Sequence, residues 1–149
     1  MNIILATVTR KGLRLDAARQ LVDLYIKRAS KYVPCAVEEF ASEAALLSSL
    51  EKRSGRTAPF LVCTDSRGEQ ITSEKLAAEV ARVADSGAQT LAFAIGPADG
   101  WSPTALARAN LKIAFGRITL PHELAAVVAA EQLYRALTIR AGHPYHSGH

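Results

Sequence analysis

Twice in the last third of this chain a short apolar run stops at a glycine. Residues 90–95 lead into Gly96, Pro97, Ala98, Asp99 and Gly100, and residues 111–115 lead into Gly116, Arg117, Ile118, Thr119, Leu120, Pro121 and His122. A third run, 59–64, opens into Asp65, Ser66, Arg67 and Gly68. Apolar runs of this length without polar alternation suit strands buried on both faces of a parallel sheet. Glycine beyond such a strand lets the backbone turn sharply and approach a flat ligand with its amides free. For any one loop a tight turn is the simpler reading. Open parallel sheets, however, bind ligands at the carboxyl ends of their strands, so three such loops predict one cleft.

The remaining segments fill in an alternating pattern. Residues 3–8 form another continuous apolar run, and residues 36–40 suit a short edge strand. A helix is predicted from Asp16 to Lys31, with Ala17, Leu21, Leu24, Tyr25 and Arg28 on its apolar stripe. A second runs from Glu43 to Lys52 with Leu46, Leu47 and Leu50 inward. A third starts at Ser73 and Glu74, turns Leu76, Val80 and Val83 inward, and stops at Gly87. Residues 54–59 read as loop. The alternation predicts a single α/β domain over residues 1–149, with a mostly parallel sheet of about five strands and helices on both faces. Neither G-x-G-x-x-G after the first strand nor G-x-x-x-x-G-K-[ST] is present, so the two commonest phosphate cradles are missing.

Composition narrows the class. No stretch of roughly 18 uncharged apolar residues predicts a membrane span, and the start lacks the pattern of a secretory signal. Cys35 and Cys63 stand alone, without C-x-x-C spacing, and read as free buried thiols in a reducing, cytoplasmic setting. Net charge is +4, and residues 1–56 carry all the excess: Arg10, Lys11, Arg14, Arg19, Lys27, Arg28, Lys31, Lys52, Arg53 and Arg56 face only six acids. Such a basic end suits a polyanion such as RNA, or is a solvated helix face with extra lysines. Arg28 beside Tyr25 allows base stacking, with packing at the core edge the preferred reading.

The helix after His122 is apolar on every face from Leu124 to Ala130. One sheet covers one side only, so a second subunit is expected on the other, with Ala126 or Ala129 meeting it. Glu131 on this helix needs a partner, and Arg135 lies one turn on in the favourable direction. That pair reads as a structural ion pair, or as an arginine held ready for RNA. His122, at a helix start, reads as structural. His143, His146 and His149 recur every third residue, but no cysteine or carboxylate joins them, so no metal site is expected.

Thr119-Leu-Pro-His122, then Glu131-Gln-Leu-Tyr-Arg135, then Pro144-Tyr-His146, at this spacing, resemble the ribosomal large-subunit RNA methyltransferase H family of the SPOUT superfamily. Length and element order match over the whole chain. The resemblance implies transfer of a methyl group from S-adenosyl-L-methionine to N3 of a pseudouridine in ribosomal RNA of the large subunit or assembled ribosome. It implies a C-terminal trefoil knot, which pattern alone never predicts, and a homodimer with shared active sites. It places the cofactor on Thr64, Gly96, Gly100, Phe115, Gly116, Arg117, Ile118, Thr119 and Leu120. Arg135, Tyr145 and His146 become the catalytic set, on a tail that folds over the cofactor cleft. Pro97 stands where the family usually has a second glycine, and Thr64 where it has leucine, so details of the pocket are expected to differ. The chemistry needs alignment and removal of one weakly acidic proton, for which His146, Tyr145 or water would serve. A relative acting on another RNA, or a ribosome-binding module without catalysis, are the competing readings.

Overall fold

The computed structural model describes residues 1–53 and 55–148; the expectations for Ser54 and His149 lie outside them. Five strands, β1 (Asn2–Val8), β2 (Cys35–Phe40), β3 (Phe60–Gln70), β4 (Thr90–Ile95) and β5 (Leu111–Ala114), make one sheet in the order β2-β1-β4-β3-β5. Every pairing is parallel. Five helices connect or follow them: α1 (Asp16–Ala29), α2 (Glu43–Lys52), α3 (Ser73–Asp85), α4 (Pro103–Arg108) and α5 (His122–Ala141), with a 3₁₀ turn at Pro144–His146.

Alternate side chains along each strand feed two cores. Ile3, Leu5, Leu91, Phe93 and Ile95 point to the face covered by α1, α3 and α5. Ile4, Ala6, Ala92, Ala94 and Cys63 point to the face of α2 and α4, where the small residues leave room for Trp101. Helices on both faces are what buries every residue of β4 and all but the first of β1. No described helix is long and apolar enough to cross a membrane.

Several local expectations change. On α1 the buried stripe is Ala18, Val22, Ile26 and Ala29, whereas Ala17, Leu21 and Leu24 face outward. Alanines and β-branched residues allow close approach to α5, and the larger leucines are left uncovered. The helix ends at Ala29, and Leu15 occupies the N-cap, with Asp16 in the first turn. α3 is capped by Thr72, whose hydroxyl accepts from the Lys75 amide at 3.0 Å. On α5, Ala126 and Ala129 are fully buried within the single chain, so neither is available to a partner; Leu124, 48% exposed, is.

The largest departure is at residues 65–68. They do not end β3. They form an excursion between Thr64 and Glu69, both opposite Ile113, after which β3 resumes pairing with β5 at Gln70. Gly68 makes this possible, because a β-carbon there would lie 2.7 Å from the Ile113 backbone.

Candidate functional site

Strand order brings the three loops together. The chain leaves β4, passes over β3 and returns as β5, so the segments after β4 and β5 flank β3 at Thr64, where its excursion begins. Between them lies a cleft of about 660 Å³. All nine residues expected at the cofactor line it: Thr64, Gly96, Gly100, Phe115, Gly116, Arg117, Ile118, Thr119 and Leu120. Gly100 and Gly116 have φ of 89° and 117°, values that L side chains rarely adopt. Gly96 is required for space, since a β-carbon there would lie 2.7 Å from the Trp101 indole.

Trp101 is the lining residue that the sequence did not single out. Its indole N–H donates to the Thr64 carbonyl at 2.7 Å, tying the loop after β4 to β3 where the excursion begins. The Thr64 hydroxyl donates to the Ala94 carbonyl at 3.2 Å, so threonine ties β3 to β4 at this position. Pro97 lines the cleft, and its carbonyl accepts from the Gly100 amide at 2.9 Å to close the turn. His122 lines the cleft too; its Nδ1–H donates to the Gly96 carbonyl at 2.8 Å, while Nε2 is buried without a hydrogen-bond partner among the described residues. Next to it, the Glu123 carboxylate accepts from the backbone amides of Arg14 and Leu15. This pins the basic loop of Arg10, Lys11 and Arg14 beside the α5 N-terminus, with none of the three in an ion pair among the described residues.

Arg135, Tyr145 and His146 also come together, though not in this cleft. The Arg135 guanidinium donates to Glu131 Oε1 through Nε at 3.0 Å and Nη2 at 2.6 Å, and to His146 Nδ1 at 3.0 Å. The Tyr145 hydroxyl donates to the same Glu131 oxygen at 2.9 Å, and the guanidinium lies over the Tyr145 ring, 4.9 Å from its centre. His146 Nε2–H donates to Glu74 at 2.7 Å. Burial, then the bond to Glu131, pushes the Tyr145 phenol up to about 12. The His146 hydrogen bond holds the Glu74 carboxyl below its usual range. Arg135 is ten residues beyond Ala125, the α5 residue of the cleft lining nearest to it in sequence, so it lies about 15 Å along the helix from the cleft. The tail docks on α5 and α3 of its own chain instead of folding over its own cleft.

Other expectations resolve locally. The Arg28 guanidinium caps the Tyr25 and Tyr134 rings at 5.6 and 6.0 Å, which is packing at the core edge. Cys63 is buried and Cys35 half-buried; burial pushes their thiols up to about 12 and about 11. His143 accepts from the Tyr145 amide, and no group of three potential metal ligands occurs among the described residues.

A sequence profile described as "Predicted SPOUT methyltransferase" matches residues 1–146. The chain is 52% identical over 134 residues to the "Ribosomal RNA large subunit methyltransferase H" of Koribacter versatilis, covering 90% of this chain and 91% of that one. It is 40% identical to the protein of the same name from Xanthobacter autotrophicus, covering 98% and 99%. Among solved structures, the SpoU methyltransferase AviRb of Streptomyces viridochromogenes, determined with AdoMet, superposes with a TM-score of 0.52 at 13% identity. That match covers 96% of this chain and 58% of the other, so this chain spans little more than half of it.

Proposed function

This chain belongs to the SPOUT methyltransferase family, and from that membership we propose that it transfers a methyl group from S-adenosylmethionine to N3 of a pseudouridine in large-subunit ribosomal RNA. The observation that carries the reading is the convergence of the β3 excursion and the segments after β4 and β5 on one cleft. Its size falls in the range of about 300–1,000 Å³ usual for small-molecule sites. Ile95, Ala114, Phe115 and Leu120 give apolar walls, and backbone groups of the loops supply polar contacts. Arg117 is the one Lys or Arg side chain on its described lining, which suits a cofactor without phosphates. The name of the relatives supplies the substrate class, ribosomal RNA.

When bound, S-adenosylmethionine supplies an electrophilic methyl whose bond to sulfur breaks, leaving a neutral thioether, as the bond to N3 forms and the N3 proton departs. The protein's own part is alignment, exclusion of water and stabilisation of negative charge on the base. Tyr145 is held protonated and donates to Glu131, so it is no base in this arrangement. The His146 Nδ1 lone pair is taken by Arg135 and its N–H by Glu74. We therefore assign the N3 proton to water and give Arg135 the role of holding the developing anion.

A cluster about 15 Å along α5 from its own cleft needs a second chain. The uncovered leucines, Leu15 at 57%, Leu21 at 41%, Leu24 at 40% and Leu124 at 48% exposed, lie on α1 and on the α5 turn that borders the cleft. A partner seated there lies against the cleft, where its tail supplies Arg135, Tyr145 and His146. The reading is therefore a homodimer with shared sites, and it retains the knotted threading of the family. Gly68, close against the Ile113 backbone, supports a chain crossing at that point. The unpaired Arg10, Lys11 and Arg14 would meet RNA phosphates beside the cleft, on the large subunit or the assembled ribosome, in the cytoplasm.

Two measurements test the proposal together. Calorimetry should show S-adenosylmethionine binding without divalent ions. Labelled methyl transfer to ribosomal particles from a strain lacking this protein should give one N3-methylated pseudouridine by mass mapping. No binding at millimolar cofactor would overturn the enzyme reading in favour of a ribosome-binding module, and label on another RNA would overturn the substrate.

A further inference from the structure

Of the described side chains that line the cleft, one carries a carboxylate: Asp65. It is the first residue of the excursion in β3, and its position is set from both sides. Thr64 before it is tied through its hydroxyl to Ala94 and through its carbonyl to Trp101. Gly68 after it lies close against the Ile113 backbone. The Asp65 side chain is 13% exposed, so little water reaches it. Its hydrogen-bond and ion-pair partners among the described residues both belong to Arg67, and both contacts are long. Oδ1 accepts from the Arg67 amide at 3.3 Å. Oδ2 lies 3.5 Å from the guanidinium of Arg67, a side chain 74% exposed.

A turn between residues 65 and 67 needs an oxygen but no charge, and asparagine closes such turns as aspartate does. An ion pair with so exposed a partner contributes little. The charge of Asp65 is therefore surplus to the local fold, and keeping it shielded from water costs free energy that a cation in the cleft would offset. The methyl donor of the reaction proposed above is such a cation. Its sulfur carries a full positive charge and no N–H, so opposite charge recognises it where a hydrogen-bond acceptor alone does not. Methyl transfer removes that charge. The sulfur keeps the electron pair of the broken bond and becomes a neutral thioether, while the methyl passes to N3. Attraction between the sulfur and a carboxylate thus exists before the reaction and is gone after it.

We propose that Asp65 is the counter-ion of the cofactor's sulfonium and selects the charged methyl donor over the neutral product. The assignment rests on the methyltransferase reading above and adds to it the residue that tells fresh cofactor from spent. Positive charge on sulfur is already fading in the transition state, so the carboxylate stabilises bound cofactor at least as much as the transition state. Its contribution therefore lies in KM for the cofactor and not in kcat.

The test compares Asp65→Asn with the wild-type chain by calorimetric titration of S-adenosylmethionine, S-adenosylhomocysteine and sinefungin. In sinefungin a carbon bearing an amino group, protonated at neutral pH, replaces the methylsulfonium. Asparagine keeps the shape of the side chain and its bond to the Arg67 amide, and removes the charge. The variant should lose about tenfold in affinity for the two ligands charged at this position. Its Kd for S-adenosylhomocysteine should hold, and its KM for S-adenosylmethionine should rise in step with the Kd. An equal loss for all three ligands overturns the assignment, placing Asp65 against the ribose or amino-acid part that they share. No loss for any of them overturns it as well. If Asp65→Asn does not fold, Asp65→Ser, which keeps an acceptor for the Arg67 amide, decides on the same ratio of affinities. A wild-type chain that binds none of the three instead defeats the cofactor reading itself, an outcome distinct from loss of charge selection.

Discussion

The Tyr145 hydroxyl donates to Glu131 Oε1, the same oxygen that accepts two bonds from Arg135. A phenol placed this way loses more than a proton on ionising: it brings a second negative charge against a carboxylate. Burial and that hydrogen bond raise its pKa to about 12, against an ordinary value of about 10. Because the folded value is the higher one, the contribution is complete below pH of about 10 and disappears as pH rises toward 12. Alkaline titration of phenolate absorbance should show a step near 12 that Tyr145→Phe deletes. A Tyr145 step at the ordinary value would mean that the tail is undocked in solution.

Arg135 holds the tail cluster and, in the proposed reaction, the developing anion as well, and the two roles are separable. Its side chain is 17% exposed and that of Glu131 18%, so neither partner is easily rescued by water. Arg135→Ala leaves the carboxylate with Tyr145 and Gln132 only, costing about 1–3 kcal/mol. For a chain of this size that lowers Tm by roughly 2–10 °C. In the proposed reaction it also lowers single-turnover methylation by about a hundred- to ten-thousand-fold while cofactor affinity holds, the range seen on losing an oxyanion donor or a positioned acid or base. A variant that melts early yet methylates normally when folded assigns Arg135 to structure alone.

What was readable in the sequence follows the range of the interactions involved. Strands and loops around Gly96, Gly100 and Gly116 were legible because an apolar run followed by glycine is a local signal. α4 was not anticipated, although Ser102 and Pro103 spell a capped start, and the Ser102 hydroxyl accepts from the Ala105 amide at 3.2 Å. The excursion at residues 65–68 was read as a loop ending a strand, since the resumed pairing depends on β5, more than forty residues later. On α1 two stripes competed. Leucine size favoured Leu21 and Leu24, but close packing on α5 selected Ala18, Val22, Ile26 and Ala29. The position of the tail is a property of α5, whose length past Arg135 carries the chain away from the cleft that its first turn borders.

Trp101 is the chain's one tryptophan and lines the cleft, so its fluorescence reports on occupancy. Titration with S-adenosylmethionine should change its emission saturably. In Gly96→Ala the new β-carbon meets the indole, which must move and give up its bond to the Thr64 carbonyl. Overpacking of this kind costs about 1–3 kcal/mol, and cofactor affinity should fall by tenfold or more. Unchanged emission and affinity in a folded Gly96→Ala chain would show that Trp101 is not tied to the cofactor site.

Exposure separates assembly from folding on α5. Ala126 is 0% exposed within the chain, between the sheet and its neighbouring helices, whereas Leu124, two residues earlier, is 48% exposed. Ala126→Asp therefore places an unpaired carboxylate in the core and should unfold the chain itself. Leu124→Lys and Leu24→Lys change surface positions of the single chain and should leave it folded. In the proposed homodimer they place charge in an apolar interface, so sedimentation should show dimer giving way to folded monomer. The monomer should keep its cofactor cleft, made from one chain, and lose methyl transfer, because the partner's Arg135 cluster no longer reaches it. Mixing a Leu124→Lys chain with an Arg135→Ala chain should not restore activity, since the first cannot associate. By contrast, Arg135→Ala mixed with a chain disabled only at Gly96 should recover part of it, one site in the hybrid pairing an intact cleft with an intact tail. If the two leucine variants remain dimeric, the interface lies elsewhere; if folded monomers methylate at the wild-type rate, the site is not shared.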